Sequence, residues 1–230
     1  MNPIIRTVNL TKVYASGNVD TVALRDINLT VREGEFISIM GPSGCGKSSL
    51  LNLLSLMDKP TSGELYFMDK PTSQLSDRQR AELRRYHIGF VFQSFNLIEE
   101  LTVAENIALP LIYQRVPEAE RMHRVNQVME QLDVLHKGHF YPMQLSGGHQ
   151  QRVAVARAIV SRPRILFADE PTGNLDSQHG QEVMEILSDL NDKGTTIVMV
   201  THSPQYAEFS QRTIHLFDGQ VVSGAISQFR

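Results

Sequence analysis

Residues 4–14 and 21–33 mix apolar and polar positions and are rich in β-branched side chains. Ser16-Gly17-Asn18 between them has turn chemistry, so the pattern predicts two strands of an antiparallel sheet near the start of the chain. Residues 36–40 form a compact apolar run that stops at a glycine-rich loop. Residues 48–57 follow with apolar side chains on most faces, as a buried helix has. Residues 63–68 and 88–92 are expected as further short strands.

From residue 101 to 161 the pattern turns helical. One helix is expected over 103–114 and a second over 117–135, with Pro117 near its start and Gly138 just beyond its end. A third, over 148–160, is built from small residues. Residues 165–168 and 196–200 are short apolar strands, each followed by polar residues and then a helical stretch. Strands alternating with helices imply a parallel sheet covered on both faces. Phe217-Asp218-Gly219-Gln220 predicts a closing hairpin.

Composition narrows the reading. The chain of 230 residues, 41% hydrophobic, is long enough for one domain with a sizeable core. A net charge of −3 leaves no basic footprint, so nucleic acid is not expected as a partner. The single cysteine, Cys45, excludes an internal disulfide and suits a reducing compartment. The start MNPIIRTVNL has no apolar signal core, and no stretch reaches the ~18 uninterrupted apolar residues of a spanning helix. The protein is therefore expected to be soluble and to reach a membrane only through a partner. Because the chain ends at Arg230, soon after the core, no large regulatory domain is expected.

Chemistry concentrates at three places. Gly41-Pro42-Ser43-Gly44-Cys45-Gly46-Lys47-Ser48 fits the phosphate-binding loop pattern, with Ser49 next in the helix start. Its glycines let successive N–H groups curl toward phosphate oxygens. Lys47 would add charge near the β- and γ-phosphates of ATP, and Ser48 a hydroxyl for Mg²⁺. Cys45 is expected there as a small loop residue without a redox role, since nothing nearby supplies a resolving thiol. Ile165-Leu166-Phe167-Ala168-Asp169-Glu170 is an apolar strand ending in two carboxylates. In an open α/β sheet such acids arrive at the ligand end. Asp169 is the expected Mg²⁺ holder, usually through water, and Glu170 the group that orients or deprotonates the attacking water. Ser146-Gly147-Gly148-His149 offers a second exposed helix start, hence a second anion-binding device. Either one chain binds two anions, or two chains each donate one end to a shared nucleotide.

With Leu145 to Arg152 in place, the sequence resembles the ATP-binding cassette (ABC) ATPases over essentially its whole length. In that resemblance Leu145 to Arg152 is the signature motif, Gln93 the glutamine that reaches Mg²⁺ and nucleotide, and His202 the catalytic switch histidine. Asp176, in Gly173-Asn174-Leu175-Asp176, belongs to the dimer-contact loop, and Tyr14 is the aromatic that stacks on adenine. His149 departs from the glutamine more common at its position and is expected as a tolerated polar substitution, able to gain charge below neutral pH.

The fold so implied is α/β: a P-loop NTPase core with a parallel sheet, an N-terminal antiparallel β subdomain and an inserted helical subdomain. As one ABC ATPase domain over 1–230, it would place the core in 1–100 and 162–230 and the helical signature subdomain in 101–161. The resemblance further implies a homodimer in the ATP-bound state and an integral membrane permease, with a periplasmic or extracellular adaptor as a further partner. The chain would lie in the cytoplasm, peripheral on the inner face of the membrane. Residues 88–97 and 168–176 look most like the macrolide-exporter and lipoprotein-release branch. The alternative within the family is an ATPase driving a permease-like protein that mechanically controls a cell-wall enzyme.

Overall fold

A computed structural model of the chain describes residues 2–17 and 19–222. Asn18, the last residue of the expected first turn, and residues 223–230 lie outside the described residues. The chain opens with β1 (Pro3–Ser16), β2 (Val19–Ile27), β3 (Thr30–Arg32), β4 (Phe36–Met40), α1 (Lys47–Leu54), β5 (Ser62–Phe67) and β6 (Lys70–Pro71). It continues through α2 (Asp77–His87), β7 (Ile88–Val91), α3 (Val103–Tyr113), α4 (Glu118–Gln131), α5 (Gly147–Ile159) and β8 (Ile165–Asp169). It closes with α6 (Ser177–Asp192), β9 (Thr196–Val200), α7 (Pro204–Ala207), β10 (Arg212–Phe217) and β11 (Gln220–Val222). The described residues form two compact units, one within 2–82 and 196–222 and one from 83–195. The fold is α/β, as expected.

In the first unit an antiparallel sheet runs in the order β2-β1-β5-β6, with β3 also paired to β1. A second group of strands has β4 between β9 and β10, both parallel to it, and β11 returns antiparallel on β10 through the expected hairpin. Phe36, Ile37, Ser38 and Ile39 of β4 are all buried, as are all five residues of β9. Strands covered on both faces read as continuous apolar runs, which is why these two were visible in the sequence.

The strand expected over 21–33 is interrupted. Asp26 and Asn9 both adopt left-handed backbone, with φ of 52° and 47°. The Asn28 side chain bridges them, donating to Asp26 O and Asn9 Oδ1 and accepting from Asn9 N–H, all at 3.0 Å. Local side-chain bonds here outcompete the ladder, and β3 resumes opposite the start of β1, with Pro3 facing Arg32.

The second unit holds the parallel pair β7 and β8, in register from Ile88 opposite Ile165 to Val91 opposite Ala168. Its helix α3 starts at a capping box, in which Thr102 and Glu105 each bond the other's backbone. The helix expected over 117–135 ends at Gln131, and Gly138 does not cap it. Asp133 takes the left-handed position instead, at φ 56°. Asp133 N–H donates to Glu130 O at 3.2 Å and Val134 N–H to Met129 O at 2.8 Å, the paired bonds that close a helix when the residue after the cap turns left-handed.

Helix α2 had no counterpart in the hydrophobic pattern. Its one buried residue is Arg80, whose guanidinium donates to Leu56 O at 3.1 Å and to Asp58 O. A helix that buries a cation against backbone carbonyls leaves no apolar stripe to detect.

Candidate nucleotide and signature sites

In the first unit, β4 delivers the chain into residues 41–46, and Gly44 and Gly46 take φ of 78° and 103°. Gly46 is the N-cap of α1 and no side chain caps that end, which suits a helix start meant for an external anion. A Cβ on Gly41 would stand 2.7 Å from Cys45 Sγ and run into the Leu216 carbonyl, whereas the same direction at Gly44 is open. The loop thus has a closed back and an open front, and its shape fits a polyphosphate. Lys47 Nζ donates to its own loop at Gly41 O (2.8 Å) and Pro42 O (2.9 Å). Pro42, Ser43, Gly44 and Ser48 are exposed, with Ser49 partly so. Cys45 is buried; burial pushes its thiol above the ordinary range, and the Lys47 charge offsets only part of that rise.

Tyr14 is 40% exposed, on β1. Its hydroxyl donates to Asp58 Oδ2 at 3.1 Å, and Lys12 Nζ lies 4.8 Å from its ring centroid. Lys12 also pairs with Asp58 at 2.8 Å. Burial works to raise the Asp58 carboxyl, but bonds from Lys12, the Lys59 N–H and Tyr14 hold it below the usual carboxylate range. His202 is exposed just past β9, beside Thr201, whose N–H donates to Ile39 O at 3.2 Å.

The second unit gathers the other candidates. Asp169 closes β8, and Glu170 after it is left-handed at φ 47°. A non-glycine residue held there is strained, and such strain collects at functional positions. The turn is fixed by Gly173 N–H, which donates to Glu170 O at 2.9 Å. Gln93 lies against this turn: its backbone carbonyl accepts from Asn174 Nδ2 at 3.0 Å, and its side-chain Nε2 is 2.8 Å from where a Gly173 Cβ would stand.

The start of α5 belongs to the same cluster. Ser146 is its N-cap and accepts from His149 N–H. A Cβ on Gly147 would touch Leu175 (3.6 Å) and Phe95 (3.8 Å). One on Gly148 would enter the His179 ring, 2.9 Å from Cγ. His179 is pinned by Asp176, the N-cap of α6, which accepts from its backbone N–H at 2.9 Å and meets its Nδ1 at 2.7 Å. Those two bonds, the backbone one first, hold the Asp176 carboxyl below its ordinary range. Gln151, buried on α5, donates to Pro171 O at 2.6 Å.

The structure therefore brings Gln93, Glu170, Asp176 and Ser146–His149 into one neighbourhood of the second unit, and the phosphate loop, Tyr14 and His202 belong to the first. Three supporting residues had no assigned role in the sequence: Gln151, His179 and Arg157. The Arg157 guanidinium donates to Phe95 O (2.8 Å) and Asn96 O (2.5 Å), fixing the left-handed backbone of those two residues after Gln93. Burial lowers its pKa.

A strand-loop-helix cradle for phosphate in an α/β fold defines a P-loop nucleotide-binding protein. The model of the ABC transporter family matches residues 24–173. The chain is 49% identical over 219 residues to the ABC transporter ATP-binding protein MJ1508 of Methanocaldococcus jannaschii, covering 95% of this chain and 98% of that one. Solved dimers of the cassette MJ0796, from the same organism, match with a TM-score of 0.89 at 44% identity, covering 98% and 100% of the two chains. One of them is a post-hydrolysis state bound to ADP and Pi. The macrolide export ATP-binding/permease protein MacB of Azoarcus sp. is 43% identical over 96% of this chain, which spans only 34% of MacB. The chain belongs to the ABC transporter family. It is an ATPase, with ATP and Mg²⁺ as its ligands, and its resemblance to the macrolide-exporter branch is borne out.

Proposed function

We propose that the chain works as an ATP-driven head-to-tail homodimer that powers a separate membrane permease exporting drugs, peptides or lipoproteins. In each site Lys47, Ser48, Gln93, Asp169, Glu170 and His202 come from one chain. Ser146, Gly147, Gly148 and His149 come from the other, with Asp176 bridging the two. Residues 101–161 form the arm that carries the signature, set into a core of 1–100 and 162–230. Tyr14 stacks on adenine and residues 41–49 cradle the phosphates. Ser48, Gln93 and Asp169 would hold Mg²⁺, which supplies positive charge against the phosphate oxygens. Glu170 takes the proton of the attacking water and His202 contacts the terminal phosphate.

The observation that carries this reading is the presence of two glycine-led helix starts in one chain, α1 and α5, with Phe95, Asn174 and Leu175 beside Gly147 of the second and His179 beside its Gly148. The dimers of MJ0796 support the assembly. A permease partner is supported by MacB, whose name joins the two activities, and by the finding that no described helix is long and apolar enough to cross a membrane. The chain would then lie on the cytoplasmic face of the membrane, and a periplasmic or extracellular adaptor would complete an export path.

The test is Glu170→Gln. Turnover should fall by roughly 10²–10⁴, the range for a lost general base, while ATP with Mg²⁺ should hold a dimer visible by light scattering. Unchanged turnover would remove Glu170 from its role, and a monomer mass with ATP would remove the dimer.

A further inference from the structure

His149 stands where its ring meets the hydroxyl of the α5 cap. Ser146 Oγ and His149 Nδ1 are 2.7 Å apart, and the same oxygen accepts the His149 N–H at 3.4 Å. A serine hydroxyl has one proton. When the neutral ring carries its proton on Nε2, Nδ1 is an acceptor and the Ser146 hydroxyl donates a hydrogen bond to it. Both nitrogens of an imidazolium are donors, so Nδ1–H must then point at Oγ, and the Ser146 proton is released toward whatever anion faces the helix start.

We propose that His149 is a proton-controlled positioning residue: protonating its ring turns the Ser146 hydroxyl outward as a free donor and adds a positive charge, so closure on the partner's ATP strengthens as pH falls. This inference rests on the shared-site reading above. The surroundings hold the switch in its neutral setting in the open chain. The His136 ring lies edge-on at 6.3 Å between centroids. Burial first, then the charges of Arg152, Lys137 and His136, lower the His149 pKa, with Asp133 opposing them. From α6, Asp176 and His179 are paired to each other beside Gly148, and Glu182 is paired to Arg152 at 2.8 Å. A γ-phosphate arriving from the partner is the missing counter-charge and raises that pKa on closure.

A group whose pKa rises on closure contributes its full gain below the open-chain value and loses it as pH climbs through the closed value. Two rings titrate per dimer, so the dimer constant should change by about tenfold or more between pH 8 and pH 6. The experiment compares the ATP-driven dimer constants of Glu170→Gln and Glu170→Gln/His149→Gln by analytical ultracentrifugation across that range. Titration of ATP itself is common to both chains, so the difference belongs to residue 149. The expected result is a steeper gain at low pH with His149 than with glutamine, and Glu170→Gln/His136→Gln should keep the steep form. Equal slopes, or a slope that disappears with His136 instead, would overturn the inference while leaving the dimer intact. Failure of ATP to dimerise any of the chains would overturn the shared-site reading and this inference with it.

Discussion

The two glycine-led helix starts are built differently. At α1 the N-cap is a left-handed glycine with no side-chain cap, the loop before it is walled at Gly41, and Lys47 stands folded over the loop carbonyls. At α5 a serine caps the helix, its hydroxyl is held by His149, and Gly148 is pressed against His179. The first end keeps a row of donors for a ligand of several charges. The second offers a narrow, partly committed set, which the proposed shared site would turn toward one terminal phosphate. The difference teaches that the helix dipole alone does not assign a role: what caps the end, and what surrounds the cap, decides whether an anion is held there or only met there.

Disabling each helix start in the monomer separates their roles. Lys47→Ala removes a charged donor, a loss of about 1.5–3 kcal/mol for bonds to charged groups. ATP should bind about 10–100-fold more weakly by calorimetry. Ser146→Ala should leave monomer affinity unchanged and cost about 1 kcal/mol of folding stability as a lost cap. A weakening of monomer binding in both variants would show that the two ends act on the same nucleotide in one chain.

Tyr14 refines the picture of the first end. Tyr14→Ala should weaken nucleotide binding by about 1–3 kcal/mol if the ring stacks on a base. Tyr14→Phe keeps the ring but loses the bond to Asp58, so it should cost well under half as much. Equal losses would mean that Asp58 anchoring, and not stacking, carries the effect. The smallest expected signal is at Cys45. Its burial and raised pKa predict slow labelling by a maleimide in the native chain and fast labelling after unfolding, with Mg-ATP slowing the native reaction further. Rapid native labelling would contradict the packed loop.

The chemistry was legible where it is contiguous. Residues 41–48 state their function locally because a phosphate cradle needs glycine, lysine and serine at fixed offsets, and β4, β8 and β9 announce themselves as buried strands. What escaped was held together at a distance or by polar contacts. Arg80 anchors α2 through carbonyls, Asn28 and Asp26 cut a strand in two, and Asp133 turns the chain at the end of α4, five residues before the expected Gly138. Gln151 and His179 owe their roles to Pro171 and Gly148, residues 20 and more positions away, and no local spacing encodes such meetings.

Whether each site is shared between two chains is decided by mixing two crippled variants. Gly148→Asp would place a carboxylate at the α5 start and displace the His179 ring, so the variant is first shown to be folded by circular dichroism, and Lys47→Ala removes the charge at α1. Each alone should be inactive. In a head-to-tail heterodimer one site combines both defects and the other combines two intact halves, so ATPase activity should return on mixing in proportion to heterodimer formed. Mixtures that stay inactive, together with loss of ATP binding by the Gly148→Asp monomer, would place the signature in the same chain's site and contradict the account.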